Sequence, residues 1–177
     1  PNYVYSQQTL IHIAEKQAMV DQHMQERQLA ASEVGVGTTQ DSGFQPSSLG
    51  GKTLSVGTWQ EPNDYAHRNY CGPGATQVAL DARLPASSVP DIETLAQEEY
   101  LDPASGVYIN NITPVLNSRL STSWYETSGS GSASTLYSRI VTDIDNDYAM
   151  ITSVVTTNMP GWGERTAYHI VAVYGYN

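Results

Sequence analysis

The 177-residue chain holds one cysteine, one phenylalanine and two lysines, Lys16 and Lys52. It has no apolar run of the length a membrane span requires. Each shortage excludes something. A single thiol cannot close an internal disulfide, so a disulfide scaffold is ruled out. With 18 acidic against 8 basic residues the formal net charge is −10. Nucleic acid and anionic membrane are therefore disfavoured as partners, since both need a basic footprint. The chain opens on Pro1 without an initiator methionine or a signal peptide, which we read as a processed or trimmed form. The length suffices for one domain with a real core. Ser, Thr, Asn, Gln, Gly and Tyr are plentiful, a surface common in secreted bacterial proteins. An extracellular location is the expectation. In that setting an unpaired cysteine calls for a functional explanation.

Residues 6–33 contain no proline or glycine and read as one long helix. Leu10, Ile13, Val20, Met24 and Ala31 fall near one face, interrupted by Gln17 and Arg27. So narrow an apolar face needs a partner surface. Residues 1–34 are therefore set apart as an N-terminal helix: a pro-segment remnant, or an ordinary helix of the fold. Residues 35–53, rich in Gly, Ser, Thr and Gln, read as a linker. The compact domain is expected over 54–177. Within it, helices are predicted from Cys71, from the Ser87–Asp91 start with Ile92, Leu95 and Ala96 inward, and from Asn110 or Asn111 with Ile112, Val115 and Leu116 inward. A further helix is predicted over 133–145 on Leu136, Ile140 and Ile144. Short strands are predicted over 121–127, 148–156 and 167–174. Helices first and strands after argue for an α+β domain.

Cys71 opens the most legible stretch, Asn69-Tyr70-Cys71-Gly72-Pro73-Gly74-Ala75. Ala75, Val78, Ala79 and Ala82 follow at helical spacing, and proline is tolerated in a first helical turn. Cys71 is thus placed at a helix N-terminus, where the end of the helix dipole favours thiolate over thiol. Two readings stand for it: a nucleophile, or a small buried residue filling a gap. His169 lies in the β-branched and aromatic run Thr166–Tyr174, hence on a strand. A cysteine at a helix start with a histidine on a distant strand is the arrangement used to activate a thiol. A strand histidine also serves purely structural roles.

With these residues in view, the chain resembles the papain-like cysteine peptidases, in the bacterial branch that includes bacteriocin-leader peptidases. The matching pieces are Trp59-Gln60, Tyr70-Cys71-Gly72-Pro73-Gly74-Ala75, Leu95-Ala96, Leu116-Asn117 and His169-Ile170-Val171-Ala172-Val173-Tyr174-Gly175-Tyr176. They occur in the family's order. The resemblance implies a papain-like fold, with the nucleophile on a helical half and the histidine on an antiparallel sheet half. It implies Cys71 as nucleophile, His169 as general base and acid, and the Gln60 side-chain amide as an oxyanion donor beside the Cys71 backbone N–H. No cofactor or metal is implied, and the partner is a peptide or protein substrate. The reaction is peptide-bond hydrolysis through an acyl-enzyme. Two alternatives are a transpeptidase or transglutaminase-type acyltransferase and a catalytically incomplete, peptidase-like binding module.

The chain departs from the family's pattern twice. The spacing from Gln60 to Cys71 is longer than usual, so residues 62–67 must bulge as a loop. The residue that orients the histidine usually lies on the next strand, and the chain stops at Asn177. Either a continuing or separate segment supplies it, or another group orients His169. Among other constellations, Asp143, Asp145 and Asp147 alternate like a calcium loop. Tyr148 and Val154 occupy its glycine and glutamate positions, which argues for a solvated helix end instead. His67 lies close enough in sequence to approach Cys71.

Overall fold

A computed structural model describes residues 50–129, 131–158 and 168–177, together with Ala18 and Gln25. The last two are helical and exposed; the rest of the 6–33 run lies outside the described residues. The element order is β1 (Lys52–Thr53), α1 (Cys71–Asp81), α2 (Ile92–Glu98), α3 (Ile109–Arg119), α4 (Ala133–Asp145), β2 (Met150–Val155), β3 (Tyr168–Val173) and β4 (Gly175–Tyr176). Short 3-10 turns lie at Ala86–Ser88 and Thr156–Asn158. The α+β order predicted from the sequence is present.

Helix α1 is the centre of the domain. Small residues let it be buried on nearly every side: Gly72, Pro73, Ala75, Thr76, Gln77, Ala79 and Leu80 are all buried. It packs against β3, α2 and α3. Leu80, Leu95, Ile112, Leu116 and Ile144 form the innermost apolar cluster. Helix α2 is capped by Asp91, whose carboxylate accepts from the Thr94 N–H at 2.8 Å and whose place in sequence announced the helix. Helix α3 starts at Ile109, just ahead of the expected Asn110 or Asn111. The Asn111 amide instead donates to the Glu99 carbonyl at 2.9 Å.

Helix α4 spans the predicted residues, capped by Ser132, and turns the expected Ile144 and Ile140 to the core but not Leu136. Leu136 is 40% exposed, while Tyr137, Val141 and Ile144 are buried. On the same helix the Tyr137 ring meets Tyr176 edge to face, and Asp143 accepts the Trp124 indole N–H at 2.9 Å.

Strands β2 and β3 pair antiparallel, with His169 opposite Val154. Strand β4 pairs with β1, Lys52 opposite Tyr176. The final two residues of the expected 35–53 linker therefore belong to a sheet. Gly175 is needed there, because a Cβ on it would lie 2.9 Å from Thr53 Oγ1 and 3.1 Å from the Lys52 carbonyl oxygen.

Residues 121–127, expected as a strand, form none. Their backbone is satisfied by a side chain. The Asn117 amide donates to the Tyr125 carbonyl at 2.8 Å and accepts from the Tyr125 N–H at 2.9 Å. An amide group thus does what a neighbouring strand would do. Asn117→Ala strands both backbone groups of the buried Tyr125, and unsatisfied buried polar groups cost about 1–3 kcal/mol each. With two groups stranded, we expect a loss of stability of about 2–6 kcal/mol, measured by urea unfolding. Unchanged stability would show that water replaces the amide.

Candidate active site

Cys71 is the first residue of α1, as the sequence predicted, and is half-buried. No side chain caps the helix; Tyr70 is the N-cap residue, and its carbonyl accepts from the Gly74 N–H at 2.9 Å. The first-turn N–H groups are thus left for the sulfur. The thiol lies against the backbone N–H groups of Ile170, Gly72 and Cys71 itself, which favour its thiolate. Burial opposes them and is the larger effect, and the Glu61 charge adds to it. The thiol is pushed up from its ordinary value. The helix end on its own predicts the opposite direction. Tertiary packing reverses it, because taking a thiolate out of water costs more than a few N–H dipoles return.

His169 is half-buried on β3, and β3 is the strand against which α1 packs. The Cys71 thiol therefore sits beside the residue that follows His169, the Ile170 N–H. The two halves of the expected pair are carried by directly packed elements.

Gln60 is exposed. Its segment is anchored from the far end of the same helix: Asp81, the last residue of α1, accepts from the Gly57 N–H and from the Trp59 indole N–H at 3.0 Å. The next residue, Glu61, was not singled out in the sequence. It is half-buried and packs over Gly74 in the first turn of α1. Its carboxyl is raised by burial, against the attraction of the His169 ring. Only the adjacent Trp59-Gln60 pair could have drawn attention to it.

The stretch between Gln60 and Cys71 is a built loop. The His67 ring lies between two carboxylates, with Nδ1 2.7 Å from Asp64 Oδ2 and Nε2 2.7 Å from Glu93 Oε1 on α2. A carboxylate at each nitrogen favours the doubly protonated ring. The Asp64 bond first, then the Glu93 bond, raises its pKa. Tyr70 stacks edge-on against His67 and donates to Glu93 Oε2 at 3.0 Å. His67 thus ties the loop to α2. Its two ring nitrogens are committed to carboxylates instead of reaching towards Cys71.

The three alternating aspartates diverge. Asp143 binds the Trp124 indole, Asp145 accepts the Tyr176 hydroxyl at 2.7 Å, and Asp147 pairs with Lys52 at 2.8 Å. Among the described residues no group of three or more His, Cys, Asp or Glu side chains is arranged to hold a metal ion. Nor is any helix among them long and apolar enough to cross a membrane.

Compared with known proteins, residues 55–177 match the model of a family described as the Peptidase_C39 like family. The match spans most of the chain and includes Gln60, Glu61, Cys71 and His169. It favours neither the acyltransferase nor the binding-module alternative. No curated protein and no solved structure matches the chain.

Proposed function

We propose, from the premise that the chain belongs to the Peptidase_C39 like family, that it hydrolyses peptide bonds through Cys71 and His169. The observation that carries this is the seating of the Cys71 thiol at the start of α1 against the backbone of β3, the strand that bears His169. The Cys-Gly-Pro helix start and the His-led strand ending in Gly175-Tyr176 support placing it near the bacteriocin-leader peptidases within the family. The polar, acidic composition supports an extracellular setting.

Because burial favours the neutral thiol, the proton leaves Cys71 for His169 as attack begins. The sulfur bonds to the substrate carbonyl carbon, and the carbonyl oxygen becomes an oxyanion. The Cys71 backbone N–H and the Gln60 amide are its donors. Collapse breaks the C–N bond, and His169 returns the proton to the departing amine. Water then attacks the thioester, giving its proton to His169. The acid leaves and the thiol is restored.

Two measurements test this reading. Peptides incubated with the protein and followed by mass spectrometry should be cleaved, and prior alkylation of the chain's one cysteine should stop it. Complete activity after alkylation would refute the mechanism. Gln60→Ala should lower kcat about 10²–10³-fold with little change in KM, the signature of a lost oxyanion donor. Turnover equal to the wild type would remove Gln60 from the chemistry.

A further inference from the structure

We propose that Glu61 is the specificity determinant of this site, a carboxylate that selects substrates with a lysine or arginine side chain within one residue of the bond cleaved. The inference rests on the reading of Cys71 as the nucleophile. Three observations carry it.

The first is position. Glu61 packs on the opening turn of α1, its Cγ 3.0 Å and its Cδ 3.7 Å from where a Cβ on Gly74 would sit. Glycine at 74 makes the room the side chain occupies. Asp81 fixes the approach of the segment through Gly57 and Trp59. Glu61 is therefore held at the mouth of the nucleophile's helix.

The second is reach. The charge of Glu61 bears on both reacting groups, raising the Cys71 thiol and interacting with the His169 ring. A group that pairs with Glu61 over the first turn of α1 therefore lies within electrostatic range of both reacting groups.

The third is incomplete charge compensation. Among the described residues no lysine or arginine forms an ion pair with Glu61; those that do pair bind Asp147 and Glu98. Burial stays the larger effect, and the attraction of the His169 ring offsets only part of this half-buried carboxylate's desolvation cost. A cationic substrate side chain relieves it, while an anionic one adds repulsion, so the site discriminates by charge in both directions.

The test uses the full chain, whose one cysteine makes the readout unambiguous. Second-order rates of Cys71 modification are measured with a cationic trimethylammonium methanethiosulfonate and an anionic sulfonate analogue. Each is normalised to its rate with a small free thiol. The cation-to-anion rate ratio should be about tenfold higher in the wild type than in Glu61→Gln, as expected for one nearby charge acting oppositely on the two reagents. Glu61→Asp, which keeps the charge, should retain most of the ratio and covers the case of a poorly folded Gln variant. Alkylation by neutral iodoacetamide should shift to lower pH in Glu61→Gln, because a negative charge beside the thiol is removed. A ratio in Glu61→Gln within twofold of the wild type overturns the proposal. None of these readings requires peptide cleavage. Failure of the peptidase reading would appear separately, as no hydrolysis of any peptide. Where hydrolysis is seen, kcat/KM for matched peptides with Lys or Glu next to the cleaved bond should differ in the wild type and converge in Glu61→Gln. An equal loss on both peptides would instead make Glu61 a positioning residue and refute the specificity role.

Discussion

Cys71→Ala should lower kcat/KM for peptide hydrolysis by about four orders of magnitude or more, and His169→Ala by about three to four. The double variant should be little worse than Cys71→Ala alone, because a nucleophile and its base act as one unit. The physical argument is specific to this site. Burial pushes the Cys71 thiol up, so little thiolate exists without a proton acceptor. Removing His169 then removes both the acceptor and the later donor to the leaving amine. Circular dichroism and thermal melting should show both variants folded, since both residues are only half-buried. Turnover of His169→Ala within tenfold of the wild type would show that another group moves the proton. Restoration of the His169→Ala rate by raising pH would instead support the role, because hydroxide then forms the thiolate directly.

The second large effect concerns stability. Glu99 is fully buried. It accepts from the Thr76 hydroxyl on α1, and its Oε2 has no hydrogen-bond partner among the described residues. That oxygen lies 3.3 Å from where a Cβ on Gly72 would sit, beneath the first turn of the helix that Cys71 begins. Burial raises its pKa to about 7, with the Thr76 hydrogen bond opposing and the Glu98 charge adding. A carboxyl whose folded pKa lies above its unfolded value binds its proton more tightly when folded. Stability therefore falls as pH rises from the unfolded value towards about 7, and above that the loss is complete. The size is about 3 kcal/mol, an order-of-magnitude figure from the shift at 1.36 kcal/mol per unit. Glu99→Gln has no such titration. The stability difference between Glu99→Gln and the wild type should thus move in the variant's favour by about 2.5 kcal/mol between pH 5 and pH 8, measured by urea unfolding. A difference that does not change with pH would mean that Glu99 is hydrated and ionised in both states.

Local features were legible. The starts of α1 at Cys71, α2 after Asp91 and α4 after Ser132 follow from caps, prolines and spacing within a few residues. The β-branched runs of β2 and β3 are equally local. So were Cys71 and His169 as a pair of candidates on a helix and a strand. What failed depended on partners distant in sequence. The 121–127 segment has strand composition, yet it is paired by the Asn117 amide, because hydrogen bonds are satisfied by whatever donor the fold delivers. On α4 only Leu136 departs from the expected inward set: it is exposed, and the neighbouring Tyr137 is buried against Tyr176 instead.

The sequence by itself determined the α+β order, the helix start at Cys71, the strand of His169 and the family motifs, since each is written in neighbouring residues. Only the tertiary structure decided the electrostatics of the site. Charge and desolvation act through space: β3 buries the thiol against the N–H of Ile170, and Glu61 comes to bear on His169 from the other side of the domain's sequence. His67, four residues before Cys71 in the chain, is drawn away to Asp64 and Glu93. The direction of the Cys71 shift follows from these packings, since burial outweighs the helix end that the sequence alone reveals.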